Sequence, residues 1–201
     1  MTPRAAVFDI GKVLLDFDYG IAAQAMAAHS VKPAGEIRRA LDQSPLLFEY
    51  ETGRLTTGQF FEQVRSAIGF RGNLSLFRTM FADIFTPLPA IVGLHEELHR
   101  RGFPTFVFSN TNELAVAHLR SQFPFFANFQ GYVFSFEEGV MKPHARIYEA
   151  VERVTGLRGG ELLYIDDRAE NHAAGLARGW QAIHHIDVPT TLCAVKASGL
   201  L

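Results

Sequence analysis

Short apolar runs that end in polar residues recur along the chain. Ala5-Ala6-Val7-Phe8 stops at Asp9, with Gly11 just beyond, the pattern of a buried strand entering a turn. The run 103–108 stops at Ser109 and Asn110, 131–134 at Ser135, and 162–165 at Asp166 and Asp167; a fifth, 180–186, precedes Asp187 and Pro189. Amphipathic stretches separate these runs. The segment 89–101 places Ile91, Leu94 and Leu98 at helical spacing and is closed by Gly102. Segments 113–123, 146–155 (before Gly156) and 167–178 (before Gly179) predict helices in the same way. Strands alternating with helices predict an α/β fold: a doubly wound parallel sheet, Rossmann-like, with helices on both faces.

The interval from Tyr19 to Phe85 departs from this rhythm. It has no convincing strand, and its helix-like stretches cover 21–29, 34–41, 57–68 and 74–85, broken at Gly53 and between Gly69 and Gly72. The expected organisation is a core of residues 1–16 plus 86–201, with residues 17–85 inserted as an all-helical cap.

Composition narrows the function classes. The chain has 201 residues, 19 basic against 21 acidic, and a net charge of −2. That balance argues against a nucleic-acid partner held by bulk charge. The hydrophobic fraction of 48% is ordinary for a globular domain, and no stretch reaches the roughly 18 apolar residues of a membrane helix. Residues 1–4 lack a signal-peptide layout, so a cytoplasmic location without membrane attachment is expected. Cys193 is the single cysteine and is expected to be a buried small hydrophobe. The eight histidines are not expected to form a zinc site.

The polar residues at the strand ends carry the candidate chemistry. In a parallel α/β sheet, ligands bind beyond the carboxyl ends of the strands. There this sequence places Asp9, Ser109 with Asn110, Asp166 with Asp167, and, after the third run, Lys142. A carboxylate such as Asp9 can act as a nucleophile. Lys142 and a Mg²⁺ ion can neutralise phosphoryl oxygens, and Asp9 and Asp167 can supply carboxylate ligands for the ion. Ser109 and neighbouring backbone N–H groups can cradle the remaining oxygens.

In order and spacing these segments resemble the four motifs of the haloacid dehalogenase superfamily, over essentially the whole chain: Phe8-Asp9-Ile10-Gly11-Lys12-Val13-Leu14, Val107-Phe108-Ser109-Asn110-Thr111-Asn112, Lys142-Pro143, and Tyr164-Ile165-Asp166-Asp167 followed by Glu170 and Asn171. The position of the predicted helical insertion resembles subfamily IA, with its C1 cap. The resemblance implies a hydrolase with Asp9 as nucleophile, Ser109 and Asn110 as phosphate ligands, and Lys142 as a catalytic and phosphate-binding lysine. It implies Mg²⁺ held by Asp9, the Gly11 backbone carbonyl and Asp167, with Asp166 and Asn171 as supporting residues. Ser109-Asn110-Thr111-Asn112, residues 142–148 and the segment Phe48-Glu49, Glu51, Gly53 are similar to bacterial sugar-phosphate phosphatases, the α-glucose-1-phosphate phosphatase type above all. The implied reaction is hydrolysis of a small phosphate monoester, a sugar phosphate by this likeness, through an aspartyl phosphate. The implied partner is a small phosphorylated metabolite, and the protein a monomer or homodimer.

Gly11 is a departure. Most phosphatases of the superfamily carry a second Asp there, which protonates the leaving oxygen and later activates water. A general acid–base contributes ~10²–10⁴-fold. Three outcomes stay open for a phosphatase: slow turnover, a proton donor elsewhere such as the cap, or a leaving group that needs no proton. The rival readings are carbon–halogen hydrolysis, which uses the nucleophilic Asp without a metal, and a catalytically silent relative that binds a phosphorylated ligand or partner. The α-glucose-1-phosphate type also has Gly at this position. In the cap, Glu49 and Glu51 could bind sugar hydroxyls, Phe48, Phe60 and Phe61 could exclude water, Arg38 and Arg39 read as surface charge, and His144 neighbours the Lys-Pro pair.

Overall fold

The computed structural model describes residues 2–200. Five strands, β1 (Ala5–Phe8), β4 (Thr105–Ser109), β5 (Gly131–Phe134), β6 (Leu162–Asp166) and β7 (Gln181–His184), form one sheet in the order β5-β4-β1-β6-β7. Every neighbouring pair in it is parallel. The near-continuous apolar sequence of β1 follows from this: the strand is central and buried on both faces. Its odd residues Ala5 and Val7 meet Phe106, Phe108, Tyr148, Tyr164 and Trp180. Its even residues Ala6 and Phe8 meet a second layer containing Ile91, Leu94, Leu119 and Val195.

Helices cover both faces. α6 (Pro89–Arg100), α7 (Glu113–Gln122) and α11 (Val188–Ala197) send apolar side chains into the layer of Phe8. α9 (Ala145–Thr155) packs on the other face, where Ala174 of α10 (Ala169–Ala177) joins it. The chain winds outward from β1 through β4 to β5, then returns to β6 on the opposite side of β1. Beyond the carboxyl ends of β1 and its neighbours the sheet therefore offers a crevice.

Between β1 and α6 the chain forms a two-stranded antiparallel ribbon, β2 (Leu15–Phe17) with β3 (Phe85–Pro87). The stretch 74–85 is accordingly not one helix: it ends at Ala82, and Phe85 enters β3. Five helices lie between the ribbon strands: α1 (Tyr19–Ala27), α2 (Ala34–Leu41), α3 (Pro45–Glu51), α4 (Thr57–Ile68) and α5 (Leu74–Ala82). They share their own apolar cluster. α4 shows why these residues are helical. Thr56 and Gln59 form a reciprocal capping box. Phe60, Phe61, Val64 and Ile68 line its buried face, and Gly69 ends it at φ 62°. Phe60 stacks on Tyr50, ring centroids 4.3 Å apart, so Phe60 and Phe61 are packing residues of this layer.

The helical layer is tied to the core at a polar junction. The Tyr50 hydroxyl accepts from the Leu114 N–H at 3.2 Å and meets Thr57 Oγ1 at 2.7 Å, and Thr57 donates to Glu113. Cys193 corrects the sequence expectation: it is exposed. α11 turns Thr191 and Val195 inward, and a residue two positions after Thr191 falls on the far side of the helix.

Candidate active site

Asp9 is placed by β1, whose register with β6 is extended by the Asp9 N–H donating to the Ile165 carbonyl at 3.0 Å. Its Oδ1 accepts from the Ile10 N–H at 2.7 Å. The chain then turns tightly, the Ile10 carbonyl accepting from the N–H groups of Leu14 and Leu15 at 2.9 Å each.

Lys142 follows the short helix α8 (Ser135–Glu138) and reaches back under the strand ends. Its Nζ donates to Asp166 Oδ2 at 2.6 Å and to the Phe108 carbonyl at 2.9 Å, and lies 3.0 Å from Asp9 Oδ1. Three acceptors match the three N–H bonds of an ammonium. The charge is thereby held in one orientation between two carboxylates. Asn110 fixes the backbone of this lysine: its amide donates to the Lys142 carbonyl at 3.1 Å and accepts from the Lys142 N–H at 2.7 Å. The Asn110 side chain is engaged as a clamp rather than turned to a ligand. Ser109 is buried at the end of β4, and its hydroxyl makes only a long 3.4 Å contact with the Asn110 carbonyl.

Asp166 is fully buried and saturated. It accepts from Lys142, from the Tyr164 hydroxyl, from Asn171 Nδ2 at 3.0 Å and from the Arg168 N–H at 2.8 Å. Asn171 is held in turn by the Tyr148 hydroxyl, which donates to its carbonyl at 2.9 Å. Asp167 has its backbone carbonyl bonded to His184 Nε2 at 2.9 Å.

Burial and neighbouring charge set the protonation of these groups. Burial pushes the Asp9 carboxyl up to about 7; Lys142 opposes this, while Asp166 and Asp167 add to it. Burial also raises Asp167, with Asp166 reinforcing it. For Asp166 burial acts upward, but Lys142 and the hydrogen bonds outweigh it, so its pKa is lowered. For Lys142 burial acts downward, and Asp166 and Asp9 outweigh it, so its pKa is raised.

Asp9, Asp166 and Asp167 offer carboxylate oxygens within 4.8 Å of one another. With all three carboxylates ionised, the one ammonium of Lys142 leaves 1 − 3 = −2, the charge that a divalent cation neutralises. Because Asp166 is already saturated, the donor set open to a hard oxygen-seeking ion is Asp9 and Asp167. The residues fit Mg²⁺.

These groups open into a cavity of about 400 Å³. Asp9, Ser109, Lys142 and Asp167 line its core side, and Phe17, Tyr19, Leu47, Phe48 and Glu51 line the side of the ribbon and helical layer. The predicted residues Gly11, Asn110 and Asn171 also line it; Asp166 stands behind. Of the other candidates, Phe48 and Glu51 reach the cavity. Glu49 and Arg39 are exposed elsewhere, Arg38 bridges Asp18 and Asp42, and His144 caps α9. Sequence reasoning missed Tyr164, Tyr148 and His184. Tyr164 had a signal: two residues before Asp166 on a strand, it shares that residue's face.

Residues 3–179 match the family model described as haloacid dehalogenase-like hydrolase. A sesquiterpene phosphatase of Aspergillus oryzae is 27% identical over 197 residues, spanning 97% of this chain and 96% of that protein. A haloacid dehalogenase family enzyme of Bacteroides thetaiotaomicron superposes with a TM-score of 0.80 at 18% identity, covering 91% of this chain and 93% of that one. That enzyme has also been solved with magnesium and inorganic phosphate. The L-2-haloacid dehalogenase of Xanthobacter autotrophicus superposes with a TM-score of 0.64 at 21% identity, over 90% of this chain and 76% of the other. The two structural likenesses show a shared fold. No described helix is long and apolar enough to cross a membrane.

Proposed function

The chain belongs to the haloacid dehalogenase-like hydrolase family, and on that premise we propose that it is a Mg²⁺-dependent phosphatase of a small phosphate monoester, working through an aspartyl phosphate on Asp9. The observation that carries this reading is the bridging of Asp9 and Asp166 by the fully engaged Lys142 ammonium, within a carboxylate cluster of net charge −2 when ionised. A phosphoryl group needs both features: a carboxylate to attack it and fixed positive charge against its oxygens.

Asp9 attacks phosphorus, the bond from phosphorus to the leaving oxygen breaks, and water then hydrolyses the acyl phosphate to return the carboxylate. Lys142 orients Asp9 and adds positive charge beside the phosphoryl group, while the Ser109 hydroxyl bonds one of its oxygens. Asp9, Asp167 and the Gly11 carbonyl would hold Mg²⁺, whose charge when bound supplements that of Lys142. Asp166 keeps Lys142 charged and positioned, and Asn110 and Asn171 hold the surrounding loops. Residues 17–85 act as a cap that keeps bulk water from the reacting centre. In this reading the partner is a phosphorylated metabolite in the cytoplasm, and the protein acts as a monomer or homodimer.

The organic part of the substrate meets an aromatic wall, Phe17, Phe48 and Phe85, interrupted by Asp42, Gln43 and Glu51. Such a wall accepts a sugar ring or an isoprenoid chain. The deciding experiment is phosphate release from a panel of sugar, alkyl and isoprenoid phosphates, with Mg²⁺ and with EDTA, for wild type and Asp9→Asn. Release that requires both Mg²⁺ and Asp9 is expected. Halide release from 2-haloacids in EDTA, with no phosphate release from any member, would overturn the phosphatase reading in favour of carbon–halogen hydrolysis.

A further inference from the structure

Gly11 leaves the reaction without its proton donor, and the structure shows why a donor does not fit there. A Cβ built on Gly11 would sit 2.8 Å from Phe17 Cε1. The Phe17 ring occupies the space into which a side chain at position 11 would extend. It is hemmed in by Tyr19, with centroids 6.0 Å apart, and by Phe85, at 6.3 Å. The proton must come from another wall of the cavity.

Few lining groups are suited. Lys12 is paired with Asp16 and donates to the Phe17 carbonyl at 3.2 Å. Lys142 has spent its three protons, and Asp9 and Asp167 are already taken as nucleophile and metal ligand in the proposed reaction. Burial lifts the Tyr19 hydroxyl well above the ordinary tyrosine range, and Asp42 is bridged to Arg38 at 3.5 Å. Glu51 remains. It is the last residue of α3, part-buried, and it lines the same cavity as Asp9.

We propose that Glu51, delivered by the helical layer, is the general acid and base of the hydrolysis, in place of the side chain that Phe17 excludes from position 11. The proposal rests on the phosphatase reading above. As Asp9 attacks, the bond from phosphorus to the leaving oxygen breaks and that oxygen takes the Glu51 proton. The Glu51 carboxylate then takes a proton from the water that attacks the aspartyl phosphate, which releases phosphate and restores the Asp9 carboxylate and the Glu51 carboxyl. The surroundings suit both states. The Asn112 amide donates to the carboxylate, and Arg168 at the start of α10 favours it, while burial and the charge of Asp9 oppose it. Tyr19 of the helical layer also lies within electrostatic reach of this position. The net effect is a pKa raised to about 7, burial being the largest cause, close to the ideal for a group that must give and take a proton near neutrality. Asn112 is itself fixed as the cap of α7, so donor and core are kept in register.

The test separates a proton donor from a structural residue by the leaving group. Wild type, Glu51→Gln and Glu51→Asp are compared in rapid-mix single turnovers on an alkyl phosphate accepted by the wild type and on 2,4-dinitrophenyl phosphate, whose phenolate departs without a proton. Folding is followed by circular dichroism. For Glu51→Gln the phosphorylation step is expected to slow ~10²–10³-fold on the alkyl ester and by less than about tenfold on the dinitrophenyl ester. The dinitrophenyl ester should then give a burst followed by slow turnover, because water is no longer activated. Glu51→Asp should recover part of the alkyl rate. An equal fall on both esters, or no fall on either, overturns the assignment while leaving the phosphatase reading intact. Should Glu51→Gln fail to fold, a folded Glu51→Asp that loses both rates equally overturns it as well. Absence of phosphate release from any ester by the wild type would be a failure of the phosphatase reading itself.

Discussion

Lys142 Nζ stands 2.6 Å from Asp166 Oδ2, with 1% and 0% of the two side chains exposed. Such a pair is weak evidence for stability while intact, but costly to break, because the survivor is a buried charge without a partner. Lys142→Met strands Asp166 and Asp9 together. We expect a loss of about 3–5 kcal/mol at pH 7 by urea unfolding. Part should be recovered near pH 5, where the stranded carboxylates take up protons. A loss under about 1 kcal/mol would show that the cluster is not sealed.

Gly11 and Phe17 are matched by shape. With Phe17 Cε1 only 2.8 Å from where a Cβ would lie, Gly11→Ala must displace a ring already packed against Tyr19 and Phe85. Overpacking of this kind costs about 1–3 kcal/mol. Pairing the change with Phe17→Leu makes room, so the double variant should be more stable than Gly11→Ala alone. Equal stability of Gly11→Ala and wild type in urea would show that the ring moves freely.

These two pairs mark how far the sequence could be read. Lys142 and Asp166 were legible because each stands at or just past a strand end, and strand order in a parallel sheet brings such residues to one rim. That Lys142 also takes the Phe108 carbonyl was not legible, since this depends on loop geometry that no spacing encodes. Gly11 was visible as a departure, but its cause lay six residues on, in a ribbon strand of only three residues (β2), too short for a period to register. α3 escaped for the same reason: Ser44 and Pro45 form a valid start signal, but the helix has only seven residues. Cys193 was misplaced because α11, with its run of small and β-branched residues, has little contrast between its faces.

The donor set at Asp9 and Asp167 predicts stabilisation by Mg²⁺ that can be measured without turnover. Binding to the folded state alone contributes RT ln(1 + [L]/Kd), or about 2.7 kcal/mol at a hundredfold excess over Kd. For a chain of this size that is a rise in Tm of about 5–10 °C. Asp167→Asn should abolish most of the rise, and EDTA should return wild type to its metal-free Tm. A Tm that ignores Mg²⁺ would remove the ion from the site.

His95 predicts the acid limb of stability. It lies on α6 with no exposed surface, flat against Phe129 at a centroid distance of 3.7 Å and an interplanar angle of 6°. Phe8 and Phe125 close in edge-on at 6.1 and 6.4 Å. Neither ring nitrogen has a well-formed hydrogen bond among the described residues. Burial therefore lowers its pKa from 6.5 to about 4; the Phe125 backbone opposes this weakly and His99 adds to it. The folded state refuses a proton that the unfolded chain accepts. Stability tied to this group is thus complete above about pH 6.5 and drains as the pH falls toward 4. Between pH 7 and pH 5 the loss is about 2 kcal/mol. His95→Leu removes the group and with it that part of the pH dependence, and should be at least as stable as wild type at pH 7, since two orphaned polar atoms leave the core. Urea unfolding of both proteins at the two pH values decides the matter. Parallel losses in the two proteins would show that His95 is not the source of the acid sensitivity.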